Sequence, residues 1–296
     1  MKKHLSLTQL LCFTLVTSLF SVFSFAAANN DFDNVKINVI NASKNVYMLK
    51  GAGGNIGVLA TKTGLVMIDD QFEPLAERIE TAMQSISKQP IKYIINTHFH
   101  GDHTGGNSYF AHKAPIFAHQ NVRERLLADK KSPDSLPEVT YKDGLTIHLP
   151  NEEVQLTHYP HAHTDSDTVV YFKNANVLHT GDLFFELGFP FIDIKRGGSV
   201  EGYLAAVKQL IAKMPDDVVI IPGHGKLTNK ARYQEFANMI SYSIDRVSTL
   251  LAQGKTAQEI VILGLGDNYH QWSWSFINEE KWLKTLIADL TSHNTI

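Results

Sequence analysis

The chain is short of three things. It has one cysteine in 296 residues, Cys12. It has no run of basic residues. Beyond residue 28 it has no apolar run near the roughly 20 residues that span a bilayer. One cysteine excludes a disulfide framework. With a formal net charge of −3 and no basic cluster, nucleic acid is not an expected partner. Cys12 itself sits in an N-terminal segment with the layout of a secretory signal. Lys2 and Lys3 come first, then the mostly apolar stretch Leu10 to Phe23, then Ala26, Ala27 and Ala28. Cleavage after Ala26 removes residues 1–26, and cleavage after Ala28 fits the same small-x-small rule. The stretch is short for a membrane span, so no stable anchor is expected once the signal is removed. Leu10-Leu11 ahead of Cys12 lacks the small residues of a lipoprotein site. The expected location is the periplasm or the medium. Loss of this segment takes the charge from −3 to −5, because it carries two lysines and no acid. It also removes the only thiol, and with it any Cys nucleophile or thiolate ligand.

What is present is a series of short apolar runs. Val35 to Leu49 alternates apolar and polar residues and suggests strands. Gly51-Ala52-Gly53-Gly54-Asn55 reads as a hairpin turn, and as a flap over whatever lies beneath. Strands are expected over Ile56–Ala60, Leu65–Ile68, Ile91–Ile95, Pro115–Ala118, Leu145–Leu149, Val154–Tyr159, Thr168–Phe172, Val177–Thr180 and Val218–Ile221. Helical spacing covers Pro74–Ile86, Asn121–Lys130, Val200–Lys213, Lys230–Gln253 and a last stretch near Glu279–Leu290, and Asn107–Phe110 looks like a helix start. There is no repeat and no low-complexity linker. The order suits an α/β architecture of two sheets packed face to face with helices outside.

Polar residues of ligand type collect where the apolar runs end. Thr97-His98-Phe99-His100-Gly101-Asp102-His103 follows Ile91–Ile95. Asp69-Asp70 follows Leu65–Ile68. The others are His161-Ala162-His163-Thr164, His179-Thr180-Gly181-Asp182 and Pro222-Gly223-His224-Gly225. Loops at strand ends are where sites collect. Neutral imidazole is the commonest metal ligand, and zinc accepts His nitrogen and Asp oxygen. One closed structural site needs four ligands, usually thiolates. The count here suits two metals sharing a carboxylate, a type of site used for hydrolysis. His161 could ligate, but the register before Thr164 favours His163; His179 reads as a strand-end packing residue or a support behind a ligand; His112, His119, His148, His158 and His270 lack ligand spacing. Trp272, Trp274 and Trp282 read as core.

At these residues the chain resembles the metallo-beta-lactamase superfamily. His98-x-His100-x-Asp102-His103 matches its defining motif, and Asp69, His163, Asp182 and His224 stand at its other acidic and histidine positions. The resemblance runs from about Val35 to the helix after His224. It implies a four-layer αβ/βα sandwich with the site at one edge of the paired sheets. This would be a single domain over residues 29–296 with a helical extension from about 230. It also implies roles. His98, His100 and His163 would bind one ion, Asp102, His103 and His224 the second, and Asp182 both. A hydroxide held between the ions would attack the substrate carbonyl, with Asp102 as the catalytic residue that orients it. Asp69 would fix a ligand from behind. Two zinc ions are the expected cofactors, with iron or manganese also compatible.

Substrate is less legible. Cysteine-bearing beta-lactamases place Cys at Asp182 and an anchoring Lys at Phe185. Lactonases of this family place Tyr at Phe185. Glyoxalase II uses a basic C-terminal site, and no such cluster is visible here. Lys195-Arg196, in a loop after Asp182, is a candidate for holding a substrate carboxylate. Export favours a small molecule that arrives from outside. The first expectation is therefore a beta-lactamase-like hydrolase opening a cyclic amide or ester. The alternatives are a glyoxalase II-like thioesterase or lactone and ester hydrolase with little beta-lactam activity, and a non-catalytic metal-binding scaffold. The metal in the cell and the oligomeric state are not fixed by sequence.

Overall fold

The computed structural model describes residues 32–292. The segment expected to be a signal, residues 1–26 or 1–28, lies outside the described residues. So do 29–31 and 293–296, at the ends of the expected domain.

Seven strands form the first sheet, in chain order: β1 (Asn38–Ser43), β2 (Val46–Lys50), β3 (Ile56–Thr61), β4 (Gly64–Ile68), β5 (Ile91–Ile95), β6 (Ile116–His119) and β7 (Val139–Tyr141). The first four are antiparallel neighbours, and β4 to β7 run parallel. The second sheet holds β8 (Gly144–Leu149), β9 (Glu152–Tyr159), β10 (Asp167–Phe172), β11 (Val177–His179), β12 (Val219–Ile221) and β13 (Thr228–Asn229), ordered β13-β12-β11-β10-β9-β8. Only β11 and β12 are parallel there. Both sheets are mixed.

The parallel strands read as continuous apolar runs because both their faces are covered. In β4, Val66 and Ile68 point between the sheets, where they meet Val154, Leu156, Val170 and Phe172 of the second sheet. Leu65 and Met67 point outward onto helix α1 (Ala76–Ile86) through Leu75, Ile79 and Met83. Short helices α2 (Gly101–Thr104) and α3 (Asn107–Phe110) and the longer α4 (Gln120–Ala128) complete that side. Outside the second sheet lie α5 (Val200–Lys213), α6 (Lys230–Ala252), α7 (Ala257–Leu263) and α8 (Glu279–Ser292). Val169, Leu178 and Ile220 of the sheet pack there against Tyr203, Val207, Phe236, Ile240 and Trp282. The layers are helix, sheet, sheet, helix.

Polar side chains fix the ends of these helices. Ser199 caps α5 and Asn229 caps α6, each accepting a backbone N–H three residues on. Thr256 and Glu259 form a reciprocal capping box on α7. Asp289 of α8 accepts the Val200 N–H at 2.8 Å, which ties the last helix to the start of α5. Helix α4 begins at Gln120 and ends at Ala128, shifted from the 121–130 expected, because the His119 ring supplies the N-cap acceptor for Asn121. Strands β7 and β13 and helix α7 had no clear pattern in the sequence: β7 and β13 have three and two residues, too few to show a period.

Candidate metal centre

Parallel strands in both sheets deliver the site. Asp69 follows β4, the His98 to His103 run follows β5, Asp182 follows β11 and His224 follows β12. His163 lies four residues beyond β9. Their carboxyl ends meet at one edge of the sandwich, the position that α/β architectures use for ligands.

Two groups of potential ligand atoms result. His98, His100, His163 and Asp182 form the first, and Asp102, His103 and His224 the second, with the atoms of each group within 4.8 Å of one another. In the first, His100 Nδ1 lies 3.1 Å from His98 Nε2 and 2.9 Å from His163 Nε2. Asp182 faces both groups. Its Oδ2 is 3.4 Å from His163 Nε2, and its Oδ1 is 3.0 Å from His103 Nε2 and 3.4 Å from His224 Nε2. Asp102 Oδ2 lies 3.3 Å from His224 Nε2.

The far nitrogens of four rings are already engaged. His98 Nδ1 meets Thr97 Oγ1 at 3.0 Å, and His100 Nε2 meets Asp193 Oδ2 at 3.1 Å. His103 Nδ1 meets Asp69 Oδ2 at 2.7 Å, and His163 Nδ1 meets the Phe191 carbonyl at 2.8 Å. A ring that donates outward turns an unprotonated nitrogen inward. Three such lone pairs converge in the first group, an arrangement that a cation stabilises and that neutral rings alone do not. His103 Nε2 and Asp182 Oδ1 are also buried without a hydrogen-bond partner, which buried polar atoms rarely are. The residues therefore fit divalent metal ions, and the donor set of imidazole and carboxylate suits them.

The electrostatics differ across the centre. Burial, with the neighbouring imidazole of His103, holds His98 well below its usual pKa, and burial holds His163 down to about 4. At the other end burial also works against charge, but the carboxylates of Asp182, Asp102 and Asp69 overcome it and raise His103. His224 is raised to about 9: Asp182 and Asp102 outweigh its burial. Burial pushes Asp182 up, yet His103 and His224 hold it well below the ordinary carboxylate range. The second group sits in a field that favours positive charge.

Local backbone makes this possible. Asp69 and Gln71 adopt left-handed φ angles of 61° and 57°, uncommon for residues with a side chain. The turn aims Asp69 at Thr97, whose N–H and Oγ1 donate to it at 2.7 and 2.8 Å. One buried carboxylate thus holds His103 directly and His98 through Thr97. Gly54 lies against the His103 ring, where an added Cβ would sit 2.2 Å from Cε1. The Gly51 to Asn55 turn is tied down: the Gly54 N–H donates to the Asp102 carbonyl, Asn55 N–H to Gly223, and Asn55 Nδ2 to Pro222. Of the two readings offered by the sequence, hairpin turn and flap, these bonds show the hairpin turn, fastened to the site.

The other residues singled out in the sequence fall as follows. Lys195 and Arg196 lie in a 3-10 turn (Ile194–Arg196), and neither is along the cavity that opens onto the ligands. Arg196 instead makes two 2.9 Å hydrogen bonds to Asp129 and covers Phe99. Trp282 and Trp272 are core, but Trp274 lines the cavity. His161 is turned to the Gly197 carbonyl, and His179 donates from Nε2 to the Asn55 carbonyl. Asp193 and the Phe191 carbonyl went unread. A backbone carbonyl carries no residue signature, and Asp193 sits in no ligand-like spacing.

Comparison with known proteins agrees with this geometry. The sequence profile of the metallo-beta-lactamase superfamily matches residues 49–224. The metallo-beta-lactamase IND-1 of Chryseobacterium indologenes is 29% identical over 183 residues, covering 60% of this chain and 74% of the relative. A probable hydroxyacylglutathione hydrolase of Schizosaccharomyces pombe is 29% identical over 202 residues, covering 64% and 70%. Among solved structures, a metallo-beta-lactamase from Pontibacter korlensis superposes with a TM-score of 0.62 at 21% identity, covering 70% of this chain and 99% of its own. That likeness shows the αβ/βα sandwich fold. Profile, fold and ligand cluster together place the chain in the metallo-beta-lactamase superfamily, as a metal-dependent hydrolase.

Proposed function

We propose that the chain is an exported two-zinc hydrolase that cleaves an ester, thioester or lactone carbonyl of a small molecule. The observation that carries the two-metal part is Asp182, which presents one carboxylate oxygen to each ligand group. His98, His100 and His163 would hold one ion, and Asp102, His103 and His224 the other. When bound, such ions lower the pKa of water towards neutrality and polarise a carbonyl oxygen. The protein supplies the rest. Asp69, Thr97, Asp193 and the Phe191 carbonyl hold the imidazoles in one tautomer and one orientation. Asp102 lines the cavity, and its pKa is lowered because His103 and His224 outweigh its burial. An ionised carboxylate there can orient the attacking water, accept its proton at Oδ2 and pass it to the leaving group.

The lining of the cavity supports one of the substrate classes weighed from sequence over the other. Neither a lysine nor an arginine is among its lining residues. The carboxylate of a typical beta-lactam would therefore find no cationic partner in the wall, which favours esters, thioesters and lactones. The beta-lactam reading stands second, supported by the likeness to IND-1. The test is metal analysis of the purified mature protein followed by a panel of a chromogenic beta-lactam, a thioester, a lactone and a p-nitrophenyl ester. Two ions per chain with turnover of the esters is the expected result. A two-ion sample inert to the whole panel sinks the hydrolase proposal. Export is tested separately, by N-terminal sequencing of protein recovered from the periplasm or medium.

A further inference from the structure

The cavity over the ligands measures about 550 Å³, within the range of small-molecule sites. Its floor is polar, made by His100, Asp102, Asp182 and His224. Its walls are five aromatic rings: Phe72, Phe185, Phe191, Trp274 and Phe276. Two of these, Trp274 and Phe276, come from the segment after residue 224, beyond the part that matches the family profile. That segment is fastened beside the ligands. Trp274 Nε1 donates to the Phe189 carbonyl at 2.9 Å, and the Phe189 N–H donates to the Trp272 carbonyl at 2.8 Å. Phe276 stacks edge-on against Phe191 and Trp274, yet remains 47% exposed. A large aromatic side chain held half in water at the mouth of a site gains most by being covered.

Arg196 pairs with Asp129, and Arg232 lies over Trp272 while pairing with Glu235. Lys226 is largely exposed, 3.9 Å from Glu186, and the Lys281 ammonium donates to the Phe276 carbonyl and lies 4.8 Å from the centre of the Phe276 ring, on the rim and not among the residues that line the cavity.

Resting on the ester reading above, we propose that the C-terminal segment is the specificity element of this enzyme. Trp274 and Phe276, with Phe191 and Phe185, bind an uncharged apolar chain of the substrate and leave its ester carbonyl over the polar floor. Water then adds across the acyl C–O bond, giving an acid and an alcohol. The apolar chain lies along aromatic faces inside a cavity that no lysine or arginine lines, so chain length raises affinity and a terminal charge lowers it.

The experiment uses the metal-loaded mature protein and two matched ester series. One is the p-nitrophenyl alkanoates from acetate to decanoate. The other is the mono-p-nitrophenyl esters of dicarboxylic acids of the same lengths, which end in a carboxylate. The expected result is a kcat/KM that rises about two- to threefold per methylene in the neutral series, the size of a largely buried CH2. The dicarboxylate series should fall at least tenfold below it at the longer lengths. Phe276→Ser and Trp274→Leu should each flatten the dependence on length, mainly through KM. Equal rates at all lengths, or a preference for the charged series, overturns the inference while leaving the hydrolase intact. If no ester turns over, quenching of tryptophan fluorescence by decanamide and by decanoate separates the two failures. Tighter binding of decanamide, weakened by Phe276→Ser, keeps the inference without the reaction, and equal or absent binding removes both.

Discussion

The two ligand groups are built on opposite electrostatic plans. In the first, burial keeps His98 and His163 neutral, and each of its three rings is braced by a hydrogen bond from behind. In the second, three carboxylates surround His103 and favour positive charge. There only His103 is braced by a carboxylate. Among the described residues no hydrogen bond holds the far side of the His224 ring, which instead stacks on Phe185 at 5.1 Å and 8°. On the two-ion reading proposed above, the difference teaches that the first group is organised before its ion arrives, whereas the second would draw its ion by charge and hold one ligand more loosely. The first group should therefore bind tightly and the second exchange readily.

The most severe way to break that contrast is Asp182→Ala, because both groups lose a donor. Turnover should fall by on the order of a thousandfold, the scale seen when a group at the reacting atoms is removed. Metal analysis should show the second ion lost and the first retained more weakly on His98, His100 and His163. Asp69→Asn comes next. It turns an amide donor towards His103 Nδ1 or Thr97, so affinity at both groups should drop about 10–100-fold in a chelator competition. Asp193→Ala, by contrast, should weaken only the first group by a similar factor; an equal loss at both would show that the groups are not separately braced. Gly54→Ala places a methyl against the His103 ring, and should reduce the content from two ions to one with the first group retained. Should both ions survive, the second group is more accommodating than its packing indicates.

The smallest effect lies outside the centre and serves as a control on the argument from burial. His119 and His158 stack with centroids 3.6 Å apart, and burial with the neighbouring ring holds His119 down to about 4. The unfolded chain takes up a proton at its ordinary value near 6.5. Stability should therefore decline as pH falls from about 6.5 to about 4, and level off below. The two rings titrate as a pair, and the loss is on the order of 1 kcal/mol. His119→Asn keeps an N-cap acceptor for α4 and should remove much of that slope in denaturant midpoints measured across the window. An unchanged slope would show that burial does not hold this pair neutral.

Much of this was readable from the residues. Apolar runs covered on both faces identified the central strands, and ligand-type residues at their ends identified the centre, because buried strands and metal ligands both leave a local pattern. The contacts that set behaviour were not local. Asp193 reaches His100 only because the loop from 189 to 197 folds back on the His run. The Phe191 carbonyl does the same for His163 without any side chain. Trp274 read as core by residue type, and its place in the cavity depends on a hydrogen bond to Phe189, 85 positions away. Lys195 and Arg196 looked like a free pair until Asp129, 67 positions from Arg196, claimed the guanidinium.

Phe276 meets its neighbours in an unusual way: the hydrogen bond fastening it, from the Lys281 ammonium, ends on its own carbonyl. A carbonyl is present whatever side chain the position carries. Exchange at 276 therefore leaves that hydrogen bond and the metal ligands in place, and removes only the ring's contacts with Phe191, Trp274 and the Lys281 ammonium. On the proposed reading, part of the choice of substrate is written outside the segment that carries the ligands, and that part can drift while the ligands stand still.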